Sequence, residues 1–188
     1  GLQVSQRATS KLESMIEDLI MFSLASRGAM SMKLDKVDIR RIVSLAANSA
    51  LNKAEERGVQ VLTNAPENIP AAQADPEKIG WAVNQLLDNG IKFTPSGGSV
   101  TVTLKEEGSN LIVLSVTDTG IGIPQSRLKE VFEPFHQLDA SSTRHYGGTG
   151  LGLSLVRQII EAHGSLLDVQ SMEGKGSTFK FPLLAVRE

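Results

Sequence analysis

Gly147-Gly148-Thr149-Gly150-Leu151-Gly152-Leu153-Ser154 is the stretch around which the chain is organised. Four of its first six residues are glycine, so the backbone can bend sharply and approach a ligand with no side chain in the way. Leu151, Leu155, Ile159, Ile160 and Ala162 follow at helical spacing, so the glycines open a helix. A helix start presents unpaired N–H groups and the positive end of the macrodipole, which suits phosphate. Taken alone, the glycines are read equally well as a flexible loop ahead of an ordinary helix. Two familiar phosphate loops are excluded. A Walker loop ends in Gly-Lys-Ser/Thr, whereas Gly152 runs into Leu153-Ser154, and no glycine triplet stands at i, i+2 and i+5 as a dinucleotide fingerprint requires.

A chain of 188 residues with 40% hydrophobic residues can bury one real core, with room for an appendage. The formal net charge of -2 supplies no electrostatic footprint for nucleic acid or for an anionic membrane. The absence of cysteine excludes disulfides and Cys-based metal sites and fits a reducing compartment. No apolar run approaches the roughly 18 residues of a membrane span, and no signal peptide is visible. The expected location is cytoplasmic, for this piece if not for a membrane-anchored whole. The start at Gly1 in place of Met is read as the mark of a piece excised from a longer protein.

From Ser5 to about Ser26, Leu12, Met15, Ile16, Leu19, Ile20 and Phe22 form an apolar stripe flanked by charge. Leu12/Leu19 and Met15/Phe22 repeat at seven, as in a helix-bundle seam, and a linker-like stretch from Arg27 to Lys36 follows. The spacing predicts a second helix from about Asp38 to Arg57, a short strand from Val59 to Thr63, and a loop from Pro66 to Pro70. Asp75-Pro76-Glu77 starts a helix running to Lys92, with Asp as cap and Pro in the first turn. Two strands, Ser99 to Glu106 and Leu111 to Asp118, read as a hairpin, and so do Ser165 to Ser171 and Ser177 to Leu183 after the glycine-opened helix. Helices grouped early and strands paired as hairpins argue for an α+β, two-layer sandwich of a mixed sheet and helices, preceded by the N-terminal helix.

Chemistry concentrates in two places. On the helix from Pro76 to Lys92, Gln85, Asn89 and Lys92 sit at i, i+4 and i+7, a row of two amides and a cation opposite an apolar face. An amide oxygen suits a hard cation and a lysine suits phosphate, although surface helices carry such rows without function. Asp118-Thr119-Gly120-Ile121-Gly122-Ile123-Pro124 follows an apolar strand, so its carboxylate can accept a hydrogen bond from a ligand amine or simply close its own turn.

Together with Phe132-Glu133-Pro134-Phe135, the run from Ser141 to Ser154, and Gly174-Lys175-Gly176-Ser177-Thr178-Phe179, these motifs resemble, in order and spacing, the ATP-binding domain of two-component sensor histidine kinases. That domain belongs to the gyrase, chaperone, kinase and mismatch-repair ATPase superfamily. The resemblance covers essentially the whole chain. It implies that residues 1–32 are the second helix of a dimerisation hairpin and its linker, and that residues 33–188 are the catalytic domain. It further implies ATP and Mg²⁺ as cofactors, with Asn89 and Gln85 toward the metal and Lys92 toward the phosphates. Phe93 borders the nucleotide and Asp118 accepts from the adenine amine, with Gly120, Gly122 and Ile123 forming the loop beside the base. Phe132 and Phe135 anchor a lid, from about Pro124 to Tyr146, over ATP. Gly148, Thr149, Gly150, Leu151 and Gly152 form the phosphate-facing turn, Ser177 or Thr178 helps hold the adenine, and Arg144 reaches the terminal phosphate.

Three departures qualify the resemblance. Gln85 stands where these kinases usually carry Asn and where the hydrolysing branch carries Glu; an amide cannot take a proton, which favours transfer over hydrolysis. Gly90 stands where Ala is common and weakens the helix slightly. The phosphoacceptor is missing: none of the three histidines, His136, His145 and His163, is followed by an acid. The implied partners are therefore the dimerisation helices of a second protomer, which bear the histidine, and a response-regulator receiver domain, with no nucleic acid. The alternatives are a degenerate nucleotide-binding or dimerisation module, or an ATP-hydrolysing member of the superfamily.

Overall fold

The computed structural model describes residues 2–28, 30–135 and 150–187. Helix α1 (Leu2–Ser26) leads into strand β1 (Asp35–Val37), helix α2 (Ile39–Glu56), strands β2 (Gln60–Asn64) and β3 (Ala71–Ala74), and helix α3 (Pro76–Phe93). Strands β4 (Ser99–Glu107) and β5 (Leu111–Asp118), two single 3₁₀ turns, helix α4 (Gly152–Ala162) and strands β6 (Asp168–Met172) and β7 (Gly176–Val186) complete the described residues. The sheet runs β1-β3-β7-β5-β4-β2, with β6 also paired to β7. Among the described residues only the β2–β4 pairing is parallel, so the sheet is mixed, as expected.

The layers follow from period-two patterning. Along β5, Ile112, Leu114, Val116 and Asp118 are buried while their neighbours are half-exposed, and β7 repeats this with Phe179, Phe181 and Leu183. Those residues meet Ile39 and Val43 of α2, Ile79, Val83, Leu87 and Ile91 of α3, and Val156, Ile159 and Ile160 of α4, which gives one core between a helical layer and a sheet.

Two strands lie where the sequence pattern predicts none. β3 is Ala71-Ala72-Gln73-Ala74, a composition with poor strand propensity, yet it is held between β1 and the end of β7. Pairing on both sides overrides local preference there. β1 overlaps the last two residues of the stretch read as linker, so the connection after α1 is tied into the sheet at its end. β6 starts at Asp168 and not at Ser165, because Ser165 closes α4: its N–H donates to Ile160 O at 3.1 Å and its hydroxyl to Pro182 O at 2.6 Å.

α1 keeps its stripe uncovered: Leu12 is 59% and Ile20 55% exposed, and Met15, Ile16 and Leu19 also face solvent. Met21 and Met30 instead pack against the core edge. The linker is fastened at Asp75, which is only 2% exposed. Asp75 Oδ1 accepts from Lys78 N–H at 3.1 Å as the N-cap of α3, and Oδ2 accepts from Lys33 N–H at 2.9 Å and from Lys78 Nζ at 3.0 Å. Its own N–H donates to His163 Nε2 at 3.0 Å, which places the imidazole proton on Nδ1, 2.7 Å from Ile159 O. Burial pushes the Asp75 carboxyl up, but the two amide bonds and Lys78 outweigh it and hold the group below its ordinary 3.8.

Asp75→Ala is expected to lose roughly 2–3 kcal/mol, combining a lost cap with a stranded Lys33 N–H, measured by urea denaturation at neutral pH. An acid whose folded pKa is depressed stabilises fully above its unfolded value. This contribution is therefore complete above about pH 4 and disappears as pH falls through the folded value. Asp75→Asn should flatten that acid limb of the stability curve, and an unchanged limb would rule out the ion pair's role.

Candidate functional site

Three backbone segments converge at the end of β5. Asp118 closes that strand on its buried face and is 8% exposed. Its Oδ1 accepts from Gly120 N–H at 2.8 Å and from Ser177 N–H at 3.3 Å, which pins the carboxylate both to the turn after it and to its register partner on β7. Oδ2 takes no hydrogen bond from the described residues and is not sealed off, so one full acceptor remains for a donor from outside. Desolvation by burial raises the Asp118 pKa, and the two amide bonds only partly offset that.

The segments can meet only where side chains are missing. Gly176 has φ +98, and a Cβ on it would stand 2.0 Å from Asp118 O; Gly122 has φ +69, and its Cβ would stand 2.0 Å from Met172 O. Ile121 N–H donates to Phe93 O at 3.1 Å and Gly174 N–H to Ile121 O at 2.7 Å, so the end of α3, the turn and the β6–β7 connection are laced together. Ile123, 8% exposed, donates its N–H to Ser171 Oγ at 2.7 Å.

The polar row of α3 borders the same region. Gln85 Oε1 lies 2.8 Å from where a Cβ on Gly152 would be, so the first residue of α4 is open just where the Gln85 amide reaches it. Asn89 is half-buried one turn later, and Lys92 Nζ stands 4.9 Å from the centroid of the Phe93 ring, itself 37% exposed. Gly90 has a packing role beyond its cost in helix propensity: its Cβ would stand 2.9 Å from Val100 Cγ1 and 3.5 Å from Asp118 Cβ. It lets α3 lie close against the strands that carry the carboxylate.

α4 begins without a side-chain cap among the described residues, with Leu151 buried at its N-cap and Gly150 just before it. Gly152, its first residue, faces Gln85, and a helix start of this kind presents backbone N–H groups at that end. Phe132 packs edge-on to Phe179 with centroids 6.4 Å apart and lies beneath the Arg157 guanidinium at 5.9 Å. Phe135 has φ +62, donates its N–H to Gly150 O at 3.0 Å, and sets its ring 6.0 Å from Phe22 of α1. Gly148, Thr149, Arg144, His136, His145 and the Ser141–Tyr146 part of the expected lid lie outside the described residues.

Thr178 points to the sheet face away from the helices, where its hydroxyl is 3.0 Å from that of Thr117, so of the pair Ser177 and Thr178 only Ser177 shares the face of Asp118. One residue was missed. Ser171, 9% exposed, joins the turn after β5 to the start of β7 through its hydroxyl; in sequence it is only a serine in a short alternating strand. Among the described residues no three His, Cys, Asp or Glu side chains converge as a metal cluster would.

Residues 74–187 match the family model described as histidine kinase-, DNA gyrase B-, and HSP90-like ATPase. The chain is 32% identical over 183 residues to the sensor histidine kinase WalK of Bacillus subtilis, a match covering 97% of this chain and 30% of WalK. It is 35% identical over 170 residues to the circadian input-output histidine kinase CikA of Synechococcus elongatus, covering 89% of this chain and 22% of CikA. The crystal structure of full-length ShkA in complex with AMPPNP superposes with a TM-score of 0.86 at 26% identity, over 98% of this chain and 38% of ShkA. The chain thus spans under a third of the length of these two curated relatives.

Asp118→Asn keeps an acceptor for both amides and removes the buried charge. An acid whose folded pKa is raised favours the native state only while protonated. The relative stability of the native chain is therefore intact below the ordinary value of 3.8 and is lost as pH rises through the folded value. At neutral pH Asp118→Asn should be at least as stable as the unaltered chain by chemical denaturation, and the gap should close at about pH 4. A clear loss of stability at neutral pH would mean that the charge is fully compensated.

Proposed function

We propose that this chain, which belongs to the histidine kinase-, DNA gyrase B-, and HSP90-like ATPase family, is the ATP-binding catalytic part of a sensor histidine kinase. The observation that carries the reading is Asp118: a buried carboxylate with one oxygen fixed by two amides and the other left as an acceptor, next to the polar row of α3 and the open start of α4.

The adenine amino group is the donor that Asp118 Oδ2 takes, with Ser177 beside it, the Gly120–Ile123 turn against the base, and Phe93 at the edge. A hydrogen bond to a charged group contributes about 1.5–3 kcal/mol net, whereas a guanine carbonyl at that point would face a carboxylate, acceptor against acceptor. Lys92, the α4 amides and the Gly148–Gly152 turn hold the phosphates, and Arg144 reaches the terminal one. Asn89 and Gln85 supply amide oxygens that suit Mg²⁺, a cation that keeps most of its shell as water and phosphate oxygen. Gln85 Oε1 makes no hydrogen bond to the described residues and is available for this. When bound, Mg²⁺ supplies positive charge against the phosphates.

Gln85 cannot accept a proton from water, so the chain lacks the base a hydrolase would place there. Phosphoryl transfer needs little covalent help from protein and much positioning. The acceptor is an imidazole nitrogen on a dimerisation helix of the whole protein: it forms the N–P bond as the bond between the γ-phosphorus and the ADP oxygen breaks. The exposed stripe of α1 fits the second helix of that hairpin, packed in a four-helix dimer with a second protomer. A receiver-domain aspartate of a response regulator takes the phosphoryl group onward.

The test is one reaction of this chain with γ-labelled ATP, Mg²⁺ and a dimerisation hairpin bearing its histidine. Acid-labile, base-stable label on the hairpin, with none on the chain itself, is expected. Free phosphate with an unlabelled hairpin would indicate an ATP-hydrolysing member of the family instead. In parallel, calorimetry should give at least tenfold weaker binding for GTP than for ATP, and equal affinities would overturn the role of Asp118.

A further inference from the structure

The hydrogen-bond valence of Ser171 assigns it a part in choosing the base. Its Oγ lies 2.7 Å from Ile123 N, 3.0 Å from Gly176 O and 2.8 Å from Ser177 Oγ. A serine hydroxyl has one proton and two lone pairs. Gly176 O can only accept, so the Ser171 proton goes there. Ile123 N–H can only donate, so it occupies one lone pair. The remaining lone pair must receive the proton of Ser177. All three positions are then used, in a setting where both serines are less than a tenth exposed.

The consequence reaches the site. With its hydroxyl proton held by Ser171 and its N–H given to Asp118 Oδ1, Ser177 presents only lone pairs outward. Asp118 Oδ2 likewise only accepts. We propose that Ser171 is a specificity-determining positioning residue: by holding the Ser177 proton it keeps the Ser177 hydroxyl from offering a donor to the base, so that a purine is selected by an exocyclic amine and disfavoured when it carries a carbonyl there. This rests on the nucleotide reading above and adds to it a residue that does not itself touch the ligand. Without the Ser171 hydroxyl, the Ser177 proton is released and can turn toward the ligand. A carbonyl at the six-position of the base then gains a donor that the native chain withholds.

The experiment is calorimetric titration of the 188-residue chain with Mg-ATP and with Mg-ITP, whose base carries a carbonyl in place of that amine and a proton on the adjacent ring nitrogen. The readout is the ratio of the two dissociation constants. In Ser171→Ala the preference for ATP should fall roughly tenfold, the worth of about one hydrogen bond. Adding Ser177→Ala to Ser171→Ala should restore the preference, because the released proton is then gone, whereas loosened packing would be worsened by a second truncation. Ser171→Thr, which keeps the hydroxyl, should behave as the native chain. Ser171→Cys, nearly isosteric but a poor acceptor, should show the same fall and keeps the test decisive if the alanine variant does not fold. Weakening of both nucleotides with an unchanged ratio would overturn the proposal and leave Ser171 a structural residue. Asp118→Asn separates the two levels: if it leaves the ratio unchanged, the base does not sit at Asp118 and the nucleotide reading fails. If it changes the ratio while Ser171→Ala does not, only the role of Ser171 falls.

Discussion

A carboxylate taken out of water at the end of a strand loses hydration that neutral hydrogen bonds replace only in part. Much of the geometry around Asp118 follows from that constraint. One of its oxygens needs donors from two directions, and the nearest are amides on different segments, Gly120 in the following turn and Ser177 on the neighbouring strand. Bringing both within reach forces the start of β7 against the carbonyl of Asp118 and the turn against the carbonyl of Met172, at distances no Cβ tolerates. Gly122 and Gly176 are thus consequences of the carboxylate's needs, and their positive φ angles are the conformations that let the chain satisfy them.

α3 carries the other half of the site and is fixed at both ends. Its first turn is held by Asp75, through which the linker after α1, the end of α4 and the helix itself share a few hydrogen bonds. At its far end Thr94 Oγ1 donates to Gly90 O at 2.6 Å, and Arg57 donates to Lys92 O at 3.2 Å, so carbonyls left over by the last turn are partly satisfied. Between these ends Ile79, Val83, Leu87 and Ile91 are fully buried. A helix held in this way cannot slide or roll without breaking core contacts, so Gln85, Asn89 and Lys92 keep a fixed relation to Asp118. Gly90, which lowers helix propensity in isolation, sets the depth at which that relation is made.

The parts of this arrangement legible in sequence were those with a local signature. Alternation identified β4 and β5, Asp75-Pro76 identified the start of α3, and the spacing of Gln85, Asn89 and Lys92 identified its polar row. What escaped reading depends on contacts distant in the chain. β3 is mostly alanine and is a strand because β1 and β7 pair with it. The choice between Ser177 and Thr178 is one of sheet face, and adjacent residues on a strand always point opposite ways. Ser171 has no signature at all: its importance lies in filling three hydrogen-bond positions with partners between 5 and 48 residues away.

The contact between α1 and the rest of the chain has an energetic side that magnitudes make clear. A bulky residue in the left-handed region, as Phe135 is, costs about 1–2 kcal/mol and persists only where its surroundings hold it. Two contacts do so: the hydrogen bond from its N–H to Gly150 O, and the edge-on packing of its ring against Phe22. An aromatic pair of that geometry contributes about 0.5–1.5 kcal/mol beyond its buried area, comparable with the backbone cost it offsets. Phe22 lies on the helix that otherwise exposes its apolar stripe, and Gly150 lies two residues before α4, whose first residue faces Gln85. The conformation at Phe135 is therefore balanced between the site and α1 by terms of similar size. Among the described residues, a shift of α1 that removed the Phe22 ring would leave the backbone strain opposed by the hydrogen bond to Gly150 O, in a part of the chain that adjoins the polar row of α3 through Gly152.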